Sequence, residues 1–99
     1  MDNMRLLAAL AARNAREDGV HETAVPGLAL IRQSQLTEPL HILHHAAVCI
    51  IAQGAKQVML ADLVYSYDPA KYLVVSVDLP ISGLVTEASP VFPYLCVRF

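Results

Sequence analysis

The spacing of apolar positions changes once along the chain, early. Met4, Leu7, Leu10 and Ala11 fall at helical intervals, which predicts a short helix packed on that stripe. Asp2 or Asn3 can cap its amino end. Arg13 and Arg16 suit the negative end of its dipole, and Gly19 offers a left-handed stop. The remaining side is rich in alanine, which suits close packing and would otherwise leave an adhesive face.

Beyond Gly19 the period shortens to that of strands. Val20–Val25, Leu28–Gln33, Leu40–His45, Ala46–Ala52 and Tyr94–Phe99 read as short strand runs, Ala46–Ala52 being nearly continuous in apolar residues. They are separated by Pro26-Gly27, Thr37-Glu38-Pro39, Gln53-Gly54, Ala61-Asp62, Asp68-Pro69 and the stretch from Pro80 to Gly83. Evenly spaced turns between β-branched runs indicate a sandwich or barrel. One hairpin can be registered residue by residue. A two-residue turn at Ala61-Asp62 sets Leu60 opposite Leu63, Val58 opposite Tyr65 and Lys56 opposite Tyr67. Val58, Leu60, Leu63, Tyr65 and Tyr67 then share the inward face. Asp68-Pro69-Ala70-Lys71 fits a type I turn, and it leads into Tyr72–Val77, an apolar run typical of a strand covered on both faces.

Composition narrows the function classes. The chain has 99 residues, 56% of them hydrophobic, and carries seven Lys plus Arg against nine Asp plus Glu. That is enough for one small domain. The balance of −2 lacks the clustered cations a self-sufficient nucleic-acid binder needs. So lean a charged surface points instead to a partner. The expectation is a homodimer, driven by the alanine face of the helix and by the terminal strand Tyr94–Phe99, whose edge no later strand covers. A chain ending on such a strand is expected to be a piece of a longer protein. The start is too short in apolar residues for a signal peptide. The uncharged stretch from Pro39 to Ala55 contains His41, His44, His45 and Gln53, so it does not suit a bilayer.

Candidate chemistry is sparse. His41 and His45 share a strand face while His44 points away, and no histidine follows them. With Glu87 or Asp78 they could form a metal site, but structural or surface histidines are the preferred reading. Cys49 and Cys96 each sit in an apolar run, which raises a thiol pKa and suits buried, reduced cysteines. Ser76 and Ser82 lack a nucleophile elbow. Four tyrosines remain, Tyr65, Tyr67, Tyr72 and Tyr94, as core or rim aromatics whose hydroxyls can serve a small ligand.

Taken in order, several segments are specific. Glu22-Thr23-Ala24-Val25-Pro26-Gly27-Leu28, the run from Val48 to Lys56, Tyr65-Ser66-Tyr67-Asp68-Pro69, the run from Tyr72 to Pro80, and Glu87-Ala88-Ser89-Pro90 resemble the amino-terminal domain of AraC-type transcriptional regulators. The likeness runs from about residue 4 to residue 99. It implies a mainly β fold, a cupin-like double-stranded β-barrel (jelly roll) over 20–99, cut short at its end and preceded by a helix over 1–19. It further implies a cytoplasmic, non-enzymatic sensing and dimerisation domain for an unknown small-molecule effector. DNA would be read by a separate helix-turn-helix domain absent from this chain. Tyr65 and Tyr67 are the candidate effector-pocket residues. No catalytic residue, cofactor or metal ligand is assigned, because His41, His44 and His45 do not reproduce the cupin metal pattern. The competing reading is a small stand-alone metal-dependent cupin enzyme using His41, His45 and Glu87.

Overall fold

The computed structural model describes residues 3–44, 46–69 and 71–99. One helix, α1 (Asn3–Asn14), precedes nine strands. These are β1 (Gly19–Glu22), β2 (Ala29–Gln33), β3 (Leu40–His44), β4 (Ala47–Gln53), β5 (Ala55–Leu60), β6 (Leu63–Tyr67), β7 (Tyr72–Val75), β8 (Leu79–Glu87) and β9 (Tyr94–Arg98). The chain winds back and forth between two antiparallel layers, ordered β1-β2-β9-β4-β7 and β3-β8-β5-β6. The fold is therefore mainly β with an amino-terminal helix, as the sequence indicates.

Strand alternation explains the layering. In β9, Tyr94 and Cys96 face the second sheet and join Cys49, Ile51 and Val85 in one core. Leu95 and Val97 point the other way and meet Ala8, Ala11 and Ala15 of the helix segment, with Leu30 and Ala52. A register shift between Ile51 and Gln53 accommodates Ala52, whose small side chain lies under the helix.

The structure bears out part of the expected helix face and corrects the rest. Ala11 and Leu7 of the stripe pack on the sheet, but Leu10 is exposed, and Ala8 and Ala15 are buried there instead. These alanines are thus taken up in packing rather than left as an adhesive face for a dimer. The outer face of the sheet already carries Leu30, Leu95 and Val97, so a helix edged with methyl groups seats more closely than one edged with leucine. Asp2 and the side chain of Met4 lie outside the described residues. Gly19 is not the helix stop either. The last helical hydrogen bond runs from the Ala15 amide to the Ala11 carbonyl, and Gly19 opens β1 at φ 126°.

The Ala61-Asp62 hairpin has the expected register, Leu60 to Leu63, Val58 to Tyr65 and Lys56 to Tyr67. Pro26 and Gly27 (φ 81°) turn the chain between β1 and β2, closed by a 3.1 Å bond from the Leu28 amide to the Val25 carbonyl. A 2.9 Å bond from the Lys71 amide to the Asp68 carbonyl closes the turn into β7; Ala70 lies outside the described residues.

Three further expectations are corrected. Tyr94–Phe99 is not an uncovered edge, because β9 is hydrogen-bonded to β2 and β4 on its two sides. Nor is the Tyr72–Val77 run covered on both faces. β7 is a sheet edge beyond the reach of α1, and Tyr72, Val74 and Val77 are exposed. Finally, Pro80 to Gly83 is no turn but part of β8. Pro80 pairs only with Leu43 of β3, a position where the missing amide is tolerated.

Two backbone positions generate a stability prediction. Ala61 holds φ 53° at the hairpin tip, a conformation that costs an L-residue about 1–2 kcal/mol relative to glycine. Gly54 holds φ 79°, and a Cβ there would lie 2.5 Å from the Glu87 carbonyl oxygen and 2.9 Å from the Tyr94 Cα. Urea denaturation of the Ala61→Gly variant should show a gain of about 1 kcal/mol. Gly54→Ala should lose about 2–4 kcal/mol.

Candidate effector cleft

The inner face of the β5–β6 hairpin carries apolar side chains that stay open to solvent. Register places Lys56, Val58 and Leu60 of β5 and Leu63, Tyr65 and Tyr67 of β6 on that face. Val58 is buried and Tyr67 half-buried, the latter packed on the Cys49–Cys96 core. Leu63 and Tyr65, on the same inward face, remain 57% and 42% exposed. Across from them runs β7, whose Leu73 and Val75 face the same interior. Among the described residues β6 pairs only with β5 and β7 only with β4. The inner face is thus uncovered on this side, and the open margin over Leu63 and Tyr65 is the candidate cleft.

The structure brings the two expected pocket residues together. The rings of Tyr65 and Tyr67 stack with centroids 6.5 Å apart and planes inclined by 30°. Burial, then the neighbouring Tyr65, raises the pKa of the Tyr67 phenol. Lys56 was harder to see in the sequence as part of this set. Its charge suggests an exterior position, yet its register opposite Tyr67 already fixed the side it takes.

Deeper inside, Cys49 and Cys96 are both reduced thiols and both buried. They occupy adjacent strands on the inner face, two residues out of register. A hydrogen bond with Cys49, then burial, pushes the Cys96 thiol well above its ordinary value. Burial does the same to the Tyr94 hydroxyl. Such groups are poor nucleophiles.

The histidines form no comparable site. His41 bonds to the Ser82 hydroxyl through Nδ1, on the outer face with Gln57 and Met59. Glu87 lies five residues further along β8 than Ser82, about 17 Å away in an extended strand. His41 and Glu87 are therefore not brought together. His45 and the side chain of His44 lie outside the described residues. Among the described residues no three His, Cys, Asp or Glu side chains converge.

Two grooves flank α1. One of about 470 Å3 lies between the helix and the loop after β8, lined by Arg5, Ala8, Ala12, Gly54, Glu87 and Phe92. The other, about 550 Å3, is lined mainly by Leu7, Leu10, Val25, Leu28, Leu30 and Val97. Sequence reasoning missed both, because they follow from the close seating of the alanine face. No described helix is long and apolar enough to cross a membrane.

The described residues thus form a two-layer antiparallel β fold with a helix docked on one layer. The family model for the AraC-type transcriptional regulator N-terminus matches residues 24–99, and the chain belongs to that family. No curated protein and no solved structure matches the chain.

The buried thiols and phenol generate a pH prediction. Their ordinary pKa values are 9.0 for Cys96 and 10.0 for Tyr94. Above these values the unfolded chain ionises while the folded chain keeps both protons. The unfolded state then binds fewer protons, so stability falls as pH rises. Denaturation between about pH 8 and about pH 11 should lose roughly 1.4 kcal/mol per pH unit for each ionising group. Thiol titration should find both cysteines in denaturant and very little reactivity in the native state.

Proposed function

We propose that this chain is the regulatory, non-catalytic domain of a cytoplasmic AraC-type regulator. It senses a small-molecule effector in the Tyr65–Tyr67 cleft and self-associates as a homodimer. DNA is read by a helix-turn-helix domain outside these residues. The family match over 24–99 carries this reading. The charge of −2 supports assigning DNA contact to another part of the parent protein.

Dimerisation rests on exposed apolar side chains rather than on a bare strand edge. Leu6 and Leu10 of α1, Tyr72 and Val74 of β7, and Phe99 are each close to half exposed or more. Tyr72 and Val74 adjoin Ile50 and Val48 on the face of the sheet that α1 only partly covers. Monomers rarely leave such contiguous patches in water.

Light scattering across a concentration series should give a dimeric mass, and a gel-shift titration at physiological salt should give only weak, sequence-blind DNA binding. A monomeric mass at high micromolar concentration contradicts the self-association. A tight, sequence-selective DNA complex contradicts the division of labour.

A further inference from the structure

We propose that the cleft between β6 and β7 takes a small monocarboxylate with an apolar or aromatic body, and that Lys56 is the residue that holds its carboxylate. The inference rests on the sensing role proposed above and specifies its ligand.

The argument starts from an inward-facing lysine. Lys56 lies opposite Tyr67 on one neighbouring strand and opposite Val85 on the other. Val85 belongs to the inner core and Tyr67 packs against it. Lys56 is half-buried, and its positive charge reaches the buried Cys96 thiol. An ammonium at this margin of the inner face can take a counter-ion.

None is supplied from within. The two nearest carboxylates along the strands are otherwise disposed. Asp68 lies 3.8 Å from Lys71, and Glu87, opposite Ala55, is exposed. Among the described residues no carboxylate lies within ion-pair distance of Lys56.

Beside this cation lies the uncovered part of the inner face. Leu63 and Tyr65 point inward yet remain largely in water, so the space above them is open. Tyr65 and Tyr67 stack along one wall, and the Asp68–Lys71 turn joins β6 to β7 across the end of the cleft. An apolar body laid over Tyr65 and Leu63 removes their surface from water. Its carboxylate then meets the Lys56 ammonium in a charge-assisted hydrogen bond. A single cation suits a single negative charge, and the flat Tyr65–Tyr67 wall suits a planar body.

Isothermal titration of the chain tests this with benzoate, benzamide, benzylamine, acetate and inorganic phosphate as probes. Benzoate should bind more tightly than benzamide by about tenfold or more, as expected for a hydrogen bond to a charged group. Benzylamine should not bind. Acetate and phosphate, which lack the apolar body, should bind far more weakly than benzoate. Lys56→Met should abolish the preference of benzoate over benzamide, and Lys56→Gln should do the same while keeping a polar side chain. Tyr65→Ala should weaken benzoate and benzamide together. Circular dichroism verifies that each variant is folded; if Lys56→Met is not, Lys56→Gln carries the test.

Equal binding of benzoate and benzamide, or a preference that survives both Lys56 variants, overturns the assignment of Lys56. Benzylamine binding as tight as that of benzoate, and lost in Tyr65→Ala, overturns the carboxylate and leaves the sensing reading in place. Binding by none of the probes overturns the proposal, while the dimer mass and DNA titration still report separately on the regulatory reading.

Discussion

Insertion of β9 between β2 and β4 is the constraint on which the rest of the structure depends. The last strand in the sequence is central in its sheet, and its alternating residues serve two cores at once. Tyr94 and Cys96 fill the space between the sheets, and Leu95 and Val97 fill the space under α1. Only a strand with apolar residues at every position can do this. The consequence for folding is that the five-stranded sheet closes late. β2 and β4 remain without their shared partner until residues 94–98 are in place, and such long-range pairing carries a large loop-closure cost.

Burial falls away from β9 toward the side where β6 and β7 meet. α1 sits over β2, β9 and β4, so β7 keeps its outer face exposed. The second sheet offers β6 as its edge, and all but Tyr67 of that strand is exposed. A densely buried interior therefore lies next to an under-covered margin. The strands with least to lose are those a ligand can order.

Much of this was legible in the sequence because the relevant signals were local. Register in the β5–β6 hairpin followed from a two-residue turn and alternation. The turn at Pro26-Gly27 followed from the preference of proline and glycine for adjacent turn positions. Long-range consequences were not legible. Nothing local to Tyr94–Phe99 says that two earlier strands flank it, and nothing in Tyr72–Val75 says that the helix stops short of it. Leu10 of α1 misled because hydrophobicity favours the bulkier stripe, whereas a filled sheet face favours the alanines. Of the cleft, the aromatic pair could be found by alternation alone. Its openness depends on which edges the two sheets leave unjoined.

Hydrogen exchange resolved along the chain tests this gradient most directly. The account predicts the slowest exchange at the Leu95, Cys96 and Val97 amides, with β6 and β7 exchanging at least about a hundredfold faster in the ligand-free protein. Protection of Leu63–Tyr67 and Tyr72–Val75 equal to that of β9 would contradict it, because the cleft between those strands would then be closed.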